Sequence, residues 1–308
     1  MKILGIGNAI VDVLCKVSDE FLKENSLIKS TMKLVDEKEF KKLLSLVQIE
    51  ETISGGSVAN SIVGLSQLGN HVGFIGKIND DILGKNYEEG LTKENVKYLY
   101  SKKKESLPTG TCLILITPDS ERTMCTFLGT AGKINEKDIN EKTIAESEIV
   151  FLEGYLWDEG DPKKAFNKAI SAAKKIAMSL SDSFCVERHK KDFLDLVKNK
   201  LDIIFANEQE IQSLINSKSI ERIIDFCKQV NKRFIITRGS KGSILIKSNE
   251  IIEYPAQSKI KIIDLTGAGD LFAAGYLHGY INNFNNKECL LKGTELASKI
   301  IQKVGARI

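Results

Sequence analysis

From Ile149 onward the chain alternates short apolar runs with helix-patterned stretches, and this rhythm restricts the fold more than any other feature. Ile149–Leu152 reads as a strand, followed by a helix beginning near Pro162, a residue tolerated in a first helical turn. Ala177–Leu180 leads to a helix near Val197. Ile203–Phe205 leads to Asn207-Glu208-Gln209-Glu210, which opens another helix. Phe234–Thr237 leads to Arg238-Gly239-Ser240-Lys241-Gly242, and the runs Ser243–Ile246 and Ile251–Tyr254 follow. Helical crossovers join parallel strands and cover both faces of the sheet, so the pattern predicts an α/β fold with a mostly parallel sheet sandwiched by helices. Ligands of such sheets gather beyond the C-terminal strand ends, where Asn207, Thr237 and the loop 264–270 fall.

The first half carries the same elements with interruptions. Ile3–Gly7 and Val72–Ile75 read as strands. Extended chain through Val13 and Leu14, the run Met32–Val35, and the pair Gly110–Thr117 and Arg122–Leu128 are β-rich, with Pro118-Asp119-Ser120 as a hairpin turn. Ser18 is positioned to cap a short helix, and Asp36 with Glu39 has the spacing of a capping box. The expected organisation is one domain over residues 1–308 carrying a small discontinuous β lid formed by approximately 12–54 and 98–130.

Two glycine loops run into helices. In Thr266-Gly267-Ala268-Gly269-Asp270 the residues up to Gly269 are small and permissive, and those from Leu271 onward are apolar and helix-compatible. A helix entered this way leaves backbone N–H groups unpaired, and with the helix dipole behind them they favour an anion. A carboxylate at Asp270, beside such a cradle, suits a general base acting on a hydroxyl. The alternative is a tight turn with Asp270 as its N-cap. The second loop, Ser54-Gly55-Gly56-Ser57-Val58-Ala59-Asn60, places Asn60 one turn into its helix. Asn8 and Asp12, polar in an apolar run, either bond local backbone or hold a hydroxylated ligand.

Composition narrows the partners. A formal net charge of +3 from 44 basic and 41 acidic residues favours neither nucleic acid nor an anionic membrane. Cys15, Cys112, Cys125, Cys185, Cys227 and Cys289 lack C-x-x-C spacing and read as buried thiols of a reducing, cytoplasmic setting. His71, His189 and His278 lie outside every motif. No segment has the length and apolarity to span a bilayer.

Gly55-Gly56-Ser57-Val58-Ala59-Asn60 and Asp264–Asp270 resemble the two signatures of the ribokinase-like (PfkB-type) carbohydrate and nucleoside kinases. Asn207-Glu208-Gln209-Glu210 resembles that family's N-x-x-E motif, and Thr237-Arg238-Gly239 with Gly242 its nucleotide loop. The resemblance implies phosphoryl transfer from ATP to an alcohol, with Asp270 as base and the amides of Gly267, Ala268 and Gly269 as anion hole. It implies that Asn207 and Glu210 serve Mg²⁺ through water, although an N-cap with its capping-box partner fits their spacing equally. Thr237, Gly239, Gly242 and Thr266 line the ATP phosphates in this reading. Leu265 stands where the family usually has a small or branched polar residue. Asp264 is the candidate ligand for the monovalent cation, K⁺, often bound beside this loop.

Within the family, Gly5-Ile6-Gly7-Asn8-Ala9-Ile10-Val11-Asp12, Pro108–Cys112 and Arg122-Thr123-Met124 resemble adenosine kinases. That likeness implies a nucleoside acceptor held by Asn8, Asp12, Gly56, Ser57 and Asn60, with Arg122 reaching the phosphates or standing as an exposed strand cation. Tyr155 and Trp157 either wall the base pocket or belong to the core. Leu14, Met32, Cys112, Leu113 and Phe127 are the apolar lid residues available to a base. A sugar kinase of the ribokinase or fructokinase type shares the catalytic motifs and differs in this pocket; a catalytically silent nucleotide-binding protein is the other alternative, against which the intact Gly267-Ala268-Gly269-Asp270 and Asn207 with Glu210 argue. Each reading is compatible with a monomer or a homodimer.

Overall fold

The computed structural model describes residues 1–119, 121–157 and 161–308. Its strands are β1 (Ile3–Ile6), β2 (Ile10–Lys16), β3 (Met32–Leu34), β4 (Ile49–Ser54), β5 (Val72–Ile75), β6 (Lys97–Tyr98), β7 (Gly110–Ile116), β8 (Arg122–Phe127), β9 (Ile149–Glu153), β10 (Ile176–Ser179), β11 (Ile203–Asn207), β12 (Arg233–Thr237), β13 (Ser243–Lys247) and β14 (Glu250–Tyr254). A nine-stranded sheet runs in the order β14-β13-β12-β11-β10-β9-β1-β5-β6. It is parallel except for β13 and β14, which close one edge as antiparallel neighbours.

Side chains of a strand alternate between faces, and here each face has its own core. Ile3, Phe151, Phe205, Ile235 and Leu245 pack on one side with Val58, Ile62, Phe272 and Tyr276. Leu4, Leu152, Ile204, Ile236 and Ile244 pack on the other with Phe166, Phe193 and Ile211. Burial on both faces is why these strands read as unbroken apolar runs.

The chain leaves this sheet at Gly7-Asn8-Ala9 and enters a second, five-stranded sheet of order β3-β8-β7-β2-β4. β2 pairs in parallel with β7 from Ile10↔Gly110 to Lys16↔Ile116, joining the two β-rich excursions. The helices Asp19–Glu24 and Glu37–Ser45 cover one face, where Val13, Leu113, Phe127, Phe40 and Leu43 share a core. The opposite face carries a smaller apolar group of Ile10, Leu14, Cys112, Ile114 and Met124.

Some expectations need correction. β4 is a strand despite its sequence Ile-Glu-Glu-Thr-Ile-Ser, because it is an exposed edge whose charges face solvent. β6 is too short to leave a pattern. The helix expected near Val197 spans Lys190–Asn199 and is preceded by another, Ser183–Arg188. Asp36 caps its helix by accepting from the Glu39 N–H at 2.8 Å, but the Glu39 carboxylate is drawn to Lys33 Nζ at 2.7 Å, so the capping box is half formed. Ser120 of the expected hairpin turn lies outside the described residues.

The helix Ser57–Gln67 packs on the helix Ala268–Ile281 through Gly64. A Cβ there would lie 2.8 Å from Leu271 Cδ1 and 3.1 Å from Ala274 Cβ. Gly64→Val is therefore expected to force the helices apart and to lose about 1–3 kcal/mol of stability. A lowered urea midpoint with an unchanged slope would show this; an unchanged midpoint would mean that the contact is slack.

Candidate active site

Gly267 enters its helix at φ 76°, a left-handed conformation that glycine takes at no steric cost. The turn aims the first helical amides outward. Among the described residues, the N–H groups of Gly267, Gly269 and Asp270 donate to nothing, whereas that of Ala268 returns to the Leu265 carbonyl at 3.2 Å. The set of free amides is thus narrower than the spacing suggested. The opposing glycine loop is equally constrained: Gly56 has φ 98°, and a Cβ there would lie 2.3 Å from the Asn8 carbonyl oxygen. The helices Ser57–Gln67 and Ala268–Ile281 meet at their N-terminal ends.

Asp270 sits at that meeting. Its Oδ1 accepts from the Ser57 hydroxyl at 2.7 Å and its Oδ2 from Asn60 Nδ2 at 3.0 Å, while Ser61 Oγ donates to its carbonyl at 2.8 Å. Its carboxylate is spent on side chains of the opposite helix, not on capping its own. Burial lifts its pKa to about 6, against the lowering effect of the Ser57 and Asn60 donors and the positive Arg307.

Asn8 and Asp12 flank the same space. Asn8 is 4% exposed, and its side-chain oxygen is buried with no partner among the described residues. Its backbone N–H donates to Glu153 Oε1 at 2.9 Å. A Cβ on Gly55 would lie 2.3 Å from Asp12 Oδ2, so the glycine loop runs directly over that carboxylate. Burial raises Asp12 to about 7, partly offset by Arg307 and Arg122.

A cleft of about 530 Å³ opens from Ser57 and Asp270 along the strand ends to Asn207, Glu210 and Thr237, with Tyr155 and Met124 on its walls. Asn207 and Thr237 are register partners at the ends of β11 and β12. Asn207 accepts from the Glu210 N–H at 2.9 Å, and Glu210 accepts from the Asn207 N–H at 2.9 Å and from its side-chain amide at 2.6 Å. The capping box is therefore complete. Burial and, less strongly, the Asp182 carboxylate push Glu210 up to about 7. Among the described residues no group of three or more His, Cys, Asp or Glu side chains is arranged to hold a metal directly. Gly239, at φ 57°, has nothing within 4 Å of its Cβ position, so its backbone angle accounts for the glycine within the protein. Gly242, at φ 88°, lies against the Tyr254 carbonyl.

Arg122 is neither exposed nor free. Its side chain is 9% exposed, and its Nη2 lies 3.0 Å from Asp264 Oδ2, though not aligned as a hydrogen bond. Asp264 also accepts from the Thr266 N–H at 3.0 Å, the Thr266 hydroxyl at 2.7 Å and the Gly305 N–H at 2.8 Å. The pair joins the second sheet to the glycine loop.

Trp157 is core: it is 5% exposed, packs on Phe166 and Phe193, and donates to Asp192 at 3.0 Å. Tyr155 lines the cleft, its hydroxyl donating to the Ser181 carbonyl at 3.3 Å. Leu14 and Cys112 share the sheet face of Met124, which borders the cleft. Leu113 and Phe127 lie on the helix-covered face, and Met32 is 40% exposed on an edge strand.

Two charged residues escaped the sequence reading. Glu153, 1% exposed at the end of β9, accepts from Asn8 N–H and, at 3.0 Å, from Val58 N–H. Burial raises it to about 7. A lone carboxylate ending an apolar strand is the signal that could have found it. Arg307 donates from Nε to Asn60 Oδ1 at 3.2 Å, and nothing in the pattern around Gly305-Ala306-Arg307 marks it.

This arrangement has relatives. An adenosine kinase structure from Sinorhizobium meliloti superposes with a TM-score of 0.93 at 34% identity, covering 100% of this chain and 95% of that one. A structure from Rhizobium etli CFN 42, described as a probable sugar kinase, gives a TM-score of 0.93 at 33% identity over 99% of this chain and 94% of that one. Adenosine kinase 2 of Arabidopsis thaliana is 25% identical, over 98% of this chain and 94% of its own length. Residues 23–308 match the family described as pfkB family carbohydrate kinase. With its glycine loops, its parallel sheet and the carboxylate between two helix ends, the chain belongs to the pfkB family of carbohydrate kinases.

Proposed function

We propose that this chain is an ATP-dependent adenosine kinase, transferring the γ-phosphoryl group to the nucleoside 5′-hydroxyl to give AMP and ADP. The observation that carries the reading is Asp270 held by Ser57 and Asn60 beside free helix N-terminal amides. The adenosine kinases among its relatives support the acceptor.

In this reading Asn8 and Asp12 hold the ribose hydroxyls, with Gly56 and Ser57 closing on the sugar. The unpartnered Asn8 oxygen is an acceptor suited to a hydroxyl. Asp270 takes the 5′-hydroxyl proton as that oxygen bonds to the γ-phosphorus and the bond to the bridging oxygen breaks, leaving ADP. The amides of Gly267 and Gly269 bear on the negative charge of the transferring group. Thr237, Gly239, Gly242 and Thr266 border the nucleotide phosphates. Mg²⁺, when bound with the nucleotide, neutralises phosphate charge, and Asn207 with Glu210 fits the role of holding its waters. A K⁺ ion at Asp264 would take the place of Arg122, whose charge already balances that carboxylate. The five-stranded sheet acts as a lid, and its Leu14–Cys112–Met124 face meets the base. A sugar kinase is the second reading, favoured by the likeness to the Rhizobium etli protein.

Asp270→Asn keeps shape and removes basicity. Turnover should fall on the order of 10²–10⁴-fold with ATP affinity nearly unchanged; near wild-type turnover would refute the assignment. Because the base works only when ionised and its folded pKa is raised to about 6, kcat/KM should decline as pH falls through that value. A flat profile from pH 5 to 7 would remove Asp270 from the step.

Glu210→Gln should raise the Mg²⁺ concentration for half-maximal activity. If the Mg²⁺ titration is unchanged and only the melting temperature drops, the capping box is its whole purpose.

The acceptor is tested by kcat/KM for adenosine, inosine, guanosine, ribose and fructose under one set of conditions. An apolar wall favours a purine by about 25 cal/mol per Å² buried and offers a free sugar little. Adenosine should lead both sugars by at least about two orders of magnitude, ~2.7 kcal/mol in transition-state binding. Equality with ribose or fructose would transfer the assignment to a sugar kinase.

A further inference from the structure

The segment after the helix Asn286–Ile300 folds back over both glycine loops. The N–H groups of Ile263 and Asp264 donate to the Ile301 carbonyl at 2.8 and 3.2 Å, and Gly305 N–H reaches Asp264 Oδ2. A Cβ on Gly267 would lie 2.8 Å from Ala306 Cα, so the segment lies against the turn that enters the helix of Asp270. Gln67, at the end of the opposite helix, donates to the Ile308 carbonyl at 3.0 Å. Arg307, between these anchors, sends its side chain inward to Asn60.

The chemistry of that contact is directional. A guanidinium only donates, so the Asn60 oxygen must face Arg307, which turns the Asn60 NH₂ toward the acceptor-only carboxylate of Asp270. Among the described residues, Arg307 Nη2 is buried with no hydrogen-bond partner, and Arg307 makes no ion pair. Leaving a charged donor unsatisfied is costly and stabilises no fold. Such an arrangement persists where position and charge matter more than pairing.

We propose that Arg307 is a positioning residue for phosphoryl transfer, fixing the Asn60 carboxamide against Asp270 and setting a buried positive charge beside the Asp270 and Asp12 carboxylates. The proposal rests on the reading of Asp270 as base. The groups facing Asp270 are Ser57 and Asn60 from the opposite helix, Glu153 from β9, Tyr155 beyond it, Asp12 from β2 and Arg307. Of these, Arg307 supplies the positive charge. Its field lowers both Asp270 and Asp12 against the upward pull of burial, and Arg122 assists at Asp12. Without it, Asp12 would lose the largest influence that opposes burial, Asp270 would keep only its donors Ser57 and Asn60, and the base would hold its proton to a higher pH.

The test is the pH dependence of kcat/KM for adenosine in wild type, Arg307→Met, Arg307→Gln and Arg307→Lys. Met and Gln remove the charge, so their acid limb should move up by about one pH unit, with activity on that limb about tenfold lower. Lys keeps the charge: its limb should stay with wild type, while its kcat falls severalfold because an ammonium does not reproduce the guanidinium's hold on Asn60. Gln retains a donor for Asn60 Oδ1, and it carries the comparison should Met fail to fold. If all four proteins share one acid limb and one kcat, the proposal is wrong. If Lys moves the limb as far as Gln does, charge is not the agent and the proposal is equally overturned. Failure of the parent reading looks different, since Asp270→Asn would then retain turnover whatever stands at 307.

Discussion

Everything in the site depends on one carboxylate shared between two helix ends. Asp270 belongs to the helix that opens at Gly267, yet both its oxygens are held from the other helix, by Ser57 and Asn60. Each helix presents its positive end to the same space, and a negative side chain there satisfies both dipoles. The close approach that this requires is written in glycine: Gly56 passes the Asn8 carbonyl, and Gly64 lets the helices touch. The pairing is at once a packing device and, in the proposed reaction, the placement of the base.

Around it lies an unusual density of buried acid. Asp12, Glu153, Asp270 and Glu210 are all raised above their ordinary values by loss of water. They differ in how the charge is met. Glu153 and Glu210 are answered by backbone N–H groups. Asp264 is met by Arg122 across the gap between sheets. Asp12 accepts no hydrogen bond from the described residues, and the glycine loop at Gly55 runs over its oxygens. Groups with spare bonding capacity, Asp12 and the Asn8 oxygen, thus lie close to Asp270.

The main sheet was legible because its inner strands are buried on both faces and, from β9 to β12, its crossovers are helices, which leaves apolar runs and helical patterns in alternation. The glycine loops were legible because few residues tolerate positive φ before a helix. Other features leave no such trace. β4 is an edge whose glutamates face solvent, so nothing in its sequence marks it as sheet. The split of Leu14 and Cys112 from Leu113 and Phe127 follows from register, set by a pairing of β2 with β7 across a long stretch of chain. Arg307 acts through an approach that is wholly tertiary. The amide of Ala268 was assigned to the cradle by position, but the turn geometry sends it back to Leu265.

Glu153 carries a mechanical consequence. Its two oxygens hold Asn8, where the chain leaves the large sheet, and Val58, just after the chain returns from β4. Two passages between the sheets are thereby riveted to a single point on β9. A swing of the small sheet would turn about that rivet, carrying Asp12 on β2 while Asp270 stays with the large body. In the proposed reaction the grip on the acceptor and the group that deprotonates it would then belong to separate jaws, and the gap between them would be a property of the swing rather than of either jaw.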